Sequence, residues 1–169
     1  MSEAIDFRID AASEADVPVI LQMIRALADY EKLGHEVVAT EAGLREALFG
    51  SPRFGEVVLG SVGSEPVGFA LFFHHFSTFR GAPGLYLEDL FVQPRWRGHG
   101  FGRLLMARVA AVAVARGCRR MEWAVLDWNE PAIRFYRRVG AKPMDDWRTF
   151  RLTDESLRAL AGDALDPPD

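Results

Sequence analysis

One stretch restricts the possible folds of this chain more than any other. An apolar segment, "LYLEDLFV" at 85–92, runs into a glycine-rich loop, "RWRGHGFG" at 95–102, and then into a long helical segment, "RLLMARVAAVAVAR". Alternating glycines permit positive φ and let successive N–H groups turn toward one point. A strand that enters a helix through such a loop places these donors at the positive end of the helix dipole. The stretch therefore predicts a strand–loop–helix unit whose loop either cradles an anion or is a tight turn with its arginines in solvent.

The remaining patterns predict an α/β (α+β) fold with a single mixed, mostly antiparallel sheet flanked by helices. A Ser13–Asp16 capping pattern begins a helix that we expect to end near Tyr30, and Thr40 caps a second helix ending near Phe49. The segments "EVVLGSV" and "PVGFALFFHHF" form a hairpin. Beyond the central unit we expect a strand "MEWAVLD", a helix from Asn129, a last strand "WRTFRL" and a final short helix. One domain is expected over 1–162, with a flexible tail over 163–169.

Composition excludes several classes of function. The chain has 169 residues, 49% of them hydrophobic and 26% charged, as is usual for a globular protein. A net charge of −4 argues against a nucleic-acid partner, and the apolar runs are too short for a membrane span. Cys118 is the single cysteine, which indicates a reducing, cytoplasmic location. His74 and His75 are adjacent on a strand and point to opposite faces, so no metal site is expected.

Two adjacent carboxylates, Glu88 and Asp89, interrupt the apolar strand before the loop. Regular alternation places Leu85, Leu87, Asp89 and Phe91 on one face and Glu88, with Tyr86, Leu90 and Val92, on the other. Both carboxylates can therefore face one pocket only if a β-bulge intervenes.

The helix "EPAIRFYRRV" carries a tyrosine on its apolar side. Ala132, Phe135, Tyr136 and Val139 follow helical spacing, so Tyr136 lies among apolar residues. A buried tyrosine hydroxyl needs a hydrogen-bond partner, either a backbone carbonyl or a ligand.

These motifs together resemble a known family. The segment "RGHGFG" fits the R/Q-x-x-G-x-G/A motif of the GNAT superfamily, and "LYLEDLFV" and "WNEPAIRFYRRVGA" resemble blocks of diamine (spermidine/spermine) N-acetyltransferases. The resemblance implies the GNAT fold and acetyl-CoA-dependent transfer of an acetyl group, by direct attack, to a primary amine of a small cationic metabolite such as a polyamine. It leaves open another amine (an amino acid such as thialysine, an antibiotic or a protein N-terminus) and a non-catalytic acyl-CoA-binding module.

The resemblance also implies roles for individual residues. Glu88 would act as general base and Tyr136 as general acid. Residues that would contact acetyl-CoA are Leu90, Phe91, Val92, Arg97, Gly98, His99, Gly100, Phe101, Gly102, Arg103, Asn129, Glu130, Pro131, Ala132 and Tyr136. Residues that would contact the amine are Tyr30, Glu31, Glu88, Glu122, Trp123 and Ala124. Family members commonly form two-fold dimers, so a homodimer is expected.

Overall fold

The computed structural model describes residues 5–162, so the tail expected at 163–169 lies outside the described residues. The chain divides into two compact units, Met1–Ala124 and Val125–Asp169. The elements of the first unit are β1 (Phe7–Ala11), α1 (Val17–Tyr30), α2 (Glu41–Phe49), β2 (Glu56–Val62), β3 (Glu65–Ser77), β4 (Ala82–Val92), α3 (Phe101–Ala115) and β5 (Met121–Glu122). The second unit contains α4 (Glu130–Arg138) and α5 (Asp154–Gly162).

The first unit is built on a five-stranded sheet in the order β1-β2-β3-β4-β5. The pairs from β1 to β4 are antiparallel, and β4 pairs with β5 in parallel. The strand–loop–helix unit provides the crossover that parallel pairing requires, because α3 lies between β4 and β5 along the chain. The single mixed, mostly antiparallel sheet expected from the sequence is confirmed.

Helices α1 and α2 pack on one face of this sheet. Ile20 and Met23 of α1 join Leu48 of α2 in a buried cluster with Phe69 and Phe91 of the sheet. The spacing of Ile20 and Met23 matches one helical face, and Phe69 and Phe91 are direct cross-strand partners. These apolar contacts fix the position of α1 relative to the C-terminal end of β4.

Helix α3 packs on the opposite face through Leu105. A β-carbon added at Gly68 would lie 3.2 Å from Leu105 and 2.6 Å from the carbonyl oxygen of Phe91. A β-carbon at Gly60 would likewise lie 3.4 Å from Leu105. Glycine at these two strand positions is what allows α3, and with it the glycine loop, to approach the sheet closely.

The local signals for helix ends are confirmed in both units. The Thr40 hydroxyl accepts a hydrogen bond from the Gly43 N–H at 3.1 Å, and the Asn129 side-chain oxygen accepts one from the Ala132 N–H at 3.3 Å. Gly140 follows α4 with φ +92°, the conformation expected after a helix C-terminus.

Two predicted strands differ in the structure. The strand "MEWAVLD" is reduced to Met121–Glu122, and "WRTFRL" at 147–152 forms no strand among the described residues. A strand exists only where a neighbouring edge takes its hydrogen bonds, and no described strand pairs with 147–152. Trp147 and Phe150 are accordingly 70% and 91% exposed.

Candidate active site

The glycine loop forms an open set of backbone donors at the start of α3. Gly98 and Gly100 both have φ +83°, in the left-handed region that disfavours residues with a β-carbon. The N–H groups of residues 98–103 donate to no backbone carbonyl within the part of the chain that the structure describes. Because these donors lie where the α3 dipole is positive, they suit a phosphate or pyrophosphate group.

Contacts on the outer side of the loop hold it in place. Arg95 and Trp96 both bond to the carboxylate of Glu65 at the start of β3, the Trp96 indole Nε1 donating at 3.2 Å. The His99 ring stacks on Phe101 at 5.5 Å between centroids, and Phe101 stacks on Phe7 of β1 at 4.0 Å. Contacts with neighbouring strands therefore contribute to the position of the loop donors.

The side chain of Arg97 points away from the glycines and back over the end of β4. Its guanidinium carbon lies 4.2 Å from the centre of the Tyr30 ring and 5.6 Å from that of Phe91, and its Nε donates to the Val92 carbonyl at 3.0 Å. Arg97 of the glycine-loop motif thus contacts Tyr30, which the resemblance predicts to bind the amine. A planar guanidinium can stack and donate at the same time, which a lysine ammonium cannot.

A β-bulge lies at Glu88. Leu71 of β3 is opposite Asp89 and the next residue, Phe72, is opposite Leu87, so Glu88 has no cross-strand partner. Leu71 and Phe72 lie on opposite faces, and so therefore do Asp89 and Leu87.

The face assignment made from regular alternation is wrong for this reason. Leu85 and Leu87 do not share a face with Asp89 and Phe91, because the extra residue reverses the alternation between them. The register shift lies before Leu90, Phe91 and Val92, the strand residues that the resemblance assigns to acetyl-CoA.

Asp89 consequently lies on the face covered by α1. Its cross-strand partner Leu71 packs against the buried cluster that contains Phe91. Loss of solvent, followed by the negative charges of Glu88 and Glu31, raises the pKa of Asp89 to about 7. Burial also raises the pKa of Glu31, which caps the C-terminus of α1. The structure therefore gathers Glu31, Glu88 and Asp89 into one negatively charged region, with Glu88 exposed to solvent.

The strands β4 and β5 part next to this region. Their pairing comprises Leu85 with Met121 and Tyr86 with Glu122, and it goes no further among the described residues. Alternate N–H and C=O groups of β4 beyond Tyr86 face the edge where β5 has ended. The predicted coenzyme-contacting residues Leu90, Phe91 and Val92 lie on this edge, which can accept an extended amide-containing chain.

Glu122, predicted to bind the amine, lies beside Arg120 and His75 in this structure. Its Oε2 lies 2.9 Å from Nε of Arg120 and 3.2 Å from Nε2 of His75, the latter within ion-pair distance but misaligned for a hydrogen bond. The His75 ring meets Tyr86 edge-on at 6.5 Å. Trp123 and Ala124 follow directly, where β5 has ended.

In the second unit, Tyr136 lies on the apolar side of α4 as its spacing predicts. Ala132, Phe135, Tyr136 and Val139 are half-buried, while Arg134 and Arg137 are exposed. The Tyr136 and Phe135 rings are 5.3 Å apart. Asn129 and Glu130, Pro131 and Ala132 form the cap and first turn of this helix.

No group of three or more histidine, cysteine, aspartate or glutamate side chains suited to a metal ion is found over residues 5–162. Over the same range, every helix is too short or too polar to cross a bilayer.

Two features of the site were missed by sequence reasoning. The position of the bulge depends on the pairing register of β3 and β4, which no local pattern encodes, although the adjacent pair Glu88 and Asp89 in an apolar strand was a signal of irregularity. Arg97, whose side chain lies over Tyr30 and Phe91, directly follows the 3₁₀ turn Pro94–Trp96. The proline in "QPRW" was the available sign of that turn.

Comparison with known proteins identifies similar chains. Residues 20–141 match the family model described as Acetyltransferase (GNAT) family. The thialysine N-epsilon-acetyltransferase of Mus musculus is 39% identical over 166 residues, which cover 92% of this chain and 97% of the relative. The L-ornithine N5-acetyltransferase of Arabidopsis thaliana is 33% identical, covering 90% of this chain and 87% of the relative.

A more distant relative is the spermidine/spermine N(1)-acetyltransferase-like protein 1 of Homo sapiens, 30% identical over 92% of this chain and 24% of the relative. Among solved structures, an integron cassette protein from the mobile metagenome of V. cholerae superimposes with a TM-score of 0.77 at 23% identity, covering 94% of this chain and 99% of the other. The integron cassette protein therefore shares the fold of this chain.

Proposed function

Because the chain belongs to the GNAT acetyltransferase family and is an N-acetyltransferase, we propose that it transfers the acetyl group of acetyl-CoA to the terminal amine of a small diamino acid of the thialysine or ornithine type. The observation that carries this proposal is the 39% identity to a thialysine N-epsilon-acetyltransferase along nearly the whole of both chains. The polyamine expected from the sequence motifs becomes the second candidate.

The glycine loop supports acetyl-CoA as the donor. The backbone donors of residues 98–103, which include Gly98, His99, Gly100, Phe101, Gly102 and Arg103, suit the pyrophosphate of the coenzyme. The free edge of β4 at Leu90, Phe91 and Val92 suits its amide-containing arm, and Asn129, Glu130, Pro131 and Ala132 are proposed as further contacts. The bound coenzyme supplies a thioester carbonyl that an amine can attack.

The carboxylates around the bulge support a cationic acceptor. An alkylamine with a pKa near 10.4 is almost entirely protonated at pH 7, and releasing its proton costs about 4–5 kcal/mol. Glu31 and Glu88 attract the ammonium group, and a carboxylate at the bulge accepts its proton. Tyr30, Glu122, Trp123 and Ala124 complete the proposed amine contacts.

Tyr136 is proposed as the acid that protonates the leaving thiolate. The new C–N bond forms as the C–S bond breaks, the phenolic proton passes to sulfur, and the acylated nitrogen releases its one remaining excess proton to solvent to give the neutral amide. A phenol with a pKa near 10 can donate this proton and recover it from solvent.

A polyamine or diamine acceptor is favoured by one specific observation, the concentration of three carboxylates in the same region. A substrate with two ammonium groups and no carboxylate is attracted electrostatically by all three of these carboxylates. An α-amino acid also brings a carboxylate, which needs a cation, and Arg97, stacked over Tyr30, is a candidate for it.

The test is release of coenzyme A from acetyl-CoA with thialysine, ornithine, lysine, spermidine and putrescine as acceptors. We expect kcat/KM to be highest for thialysine or ornithine. A value at least tenfold higher for spermidine or putrescine would replace the diamino acid with the polyamine. Turnover with none of them, despite acetyl-CoA binding measured by calorimetry, would contradict both substrates.

We also propose a cytoplasmic homodimer. The dimer is carried over from the family resemblance, and exposed apolar side chains such as Val38 and Phe79, at 89% and 95% exposed, are compatible with it. The single cysteine supports a reducing compartment. Light scattering should give twice the 18.9 kDa chain mass, and a monomer at micromolar concentration would contradict the dimer.

A further inference from the structure

The reversed alternation at Glu88 separates two carboxylates that the sequence alone cannot tell apart. Glu88 is the unpaired residue of the bulge and is exposed. Asp89 pairs with Leu71 of β3 in the regular way and lies on the face that α1 covers. One carboxylate thus remains in solvent while its neighbour lies against the apolar cluster.

A proton acceptor for an ammonium group must satisfy two conditions. It has to be ionised near neutral pH in a good fraction of the molecules, and it has to bind a proton strongly enough to draw it from an amine. An exposed carboxylate meets the first condition but is a weak base. A carboxylate held in an apolar setting beside other negative charges meets both.

The groups that act on Asp89 come from two elements. Glu88 lies beside it on β4, and Glu31 lies at the C-terminal end of α1, and both charges favour the protonated form of Asp89. The guanidinium of Arg97 is stacked over Tyr30 and Phe91 and bonded to the Val92 carbonyl. Loss of solvent is the largest effect on Asp89, and with the two negative charges it raises the pKa of Asp89 to about 7.

We propose that Asp89, rather than Glu88, accepts the proton of the bound ammonium group, while Glu88 and Glu31 attract that group to the site. The N–H bond of the ammonium breaks, its electron pair stays on nitrogen for attack on the thioester, and the proton forms an O–H bond on Asp89. The protonated Asp89 then releases its proton to solvent. This inference rests on the proposed acetyl transfer, and it assigns the base within that reaction.

The experiment measures kcat/KM for the best amine from pH 5.5 to 9.5 in the wild type and in Asp89→Asn, Asp89→Glu and Glu88→Gln. In the wild type the acid limb should have its midpoint near pH 7 and level off above it. Asp89→Asn should lose about 100-fold or more at pH 7.5. Its remaining rate should rise about tenfold per pH unit up to pH 9.5, because only the neutral amine then reacts. Asp89→Glu should restore part of the rate and the plateau.

Glu88→Gln should raise KM for the amine and keep an acid limb with a plateau. A second variant, Glu31→Gln, keeps the test valid if Asp89→Asn fails to fold. It removes a negative charge that raises the pKa of Asp89, so the acid limb should move to lower pH. Asp10→Asn, which removes an exposed carboxylate on β1, serves as the matched control and should match the wild type.

The proposal is overturned if Glu88→Gln abolishes the acid limb while Asp89→Asn keeps it, or if Glu31→Gln leaves the limb in place. Failure of the proposed function has a different signature. In that case the wild type itself shows no amine-dependent release of coenzyme A, whatever the variants do.

Discussion

The carboxyl group of Asp89 should make the stability of the fold depend on pH. Its pKa rises from 3.8 to about 7 on folding, so the folded protein holds this proton more strongly than the unfolded chain does. Stability from this group is therefore fully present below about pH 4 and is lost as pH rises through about 7. At 1.36 kcal/mol per pKa unit, the loss is about 0.6 kcal/mol at pH 4, about 3 at pH 6 and about 4 at pH 8.

Asp89→Asn removes this titration while it keeps the size of the side chain. The free energy of unfolding, measured by urea denaturation from pH 4 to pH 8, should fall with pH in the wild type by about 4 kcal/mol more than in the variant. At pH 8 the variant should be the more stable protein, although it is expected to be the slower enzyme. Such a trade of stability for activity is common at catalytic groups.

Asp10→Asn is again the control, since Asp10 is an exposed aspartate on a strand of the same sheet. Its unfolding free energy should follow the wild-type pH dependence. Equal pH slopes for the wild type and Asp89→Asn would refute the reasoning, because a carboxyl whose pKa is the same in both states contributes no slope.

Three further substitutions test the remaining parts of the site. Gly100→Ala places a β-carbon at φ +83° and should weaken acetyl-CoA binding about tenfold by calorimetry, through about 1–2 kcal/mol of backbone strain. Gly63→Ala imposes similar strain in the β2–β3 turn, at φ +57°, so an equal loss of affinity there would show that the loop is not specifically involved. Arg97→Lys should raise KM for the amine about 3- to 30-fold in steady-state kinetics by removing about 0.5–2 kcal/mol of stacking on Tyr30, and an unchanged KM would contradict that coupling. Tyr136→Phe should lower kcat at least tenfold with an unchanged dissociation constant for acetyl-CoA, and an unchanged kcat would contradict its role as the acid.

Features with local causes could be predicted from the sequence. Thr40 and Asn129 cap helices because a short polar side chain can reach an N–H group two or three residues ahead, whatever the rest of the fold does. Gly140 ends α4 because it tolerates positive φ. The glycine loop was found for the same reason, since its backbone conformation is determined within a few residues.

Features that depend on distant partners could not be predicted in this way. The bulge at Glu88 is a property of the register between β3 and β4, and it decides which carboxylate is buried. The segment 147–152 contains strand-favouring residues (Trp147, Thr149 and Phe150), but composition cannot supply the neighbouring edge that a strand needs. The orientation of Arg97 depends on where Tyr30 arrives at the end of α1, some 67 residues earlier in the chain.

The contact between Arg97 and Tyr30 has a thermodynamic consequence for the two substrates. Arg97 begins the loop proposed to hold the coenzyme, and Tyr30 belongs to the proposed amine contacts. A coenzyme that orders the loop also orders Tyr30, which lowers the entropy lost when the amine binds. By thermodynamic linkage, the bound amine must increase the affinity for the coenzyme by the same factor by which the coenzyme increases the affinity for the amine. One coupling free energy therefore describes both effects. Substituting Arg97 should therefore reduce the effect of the coenzyme on amine affinity and the effect of the amine on coenzyme affinity by the same factor.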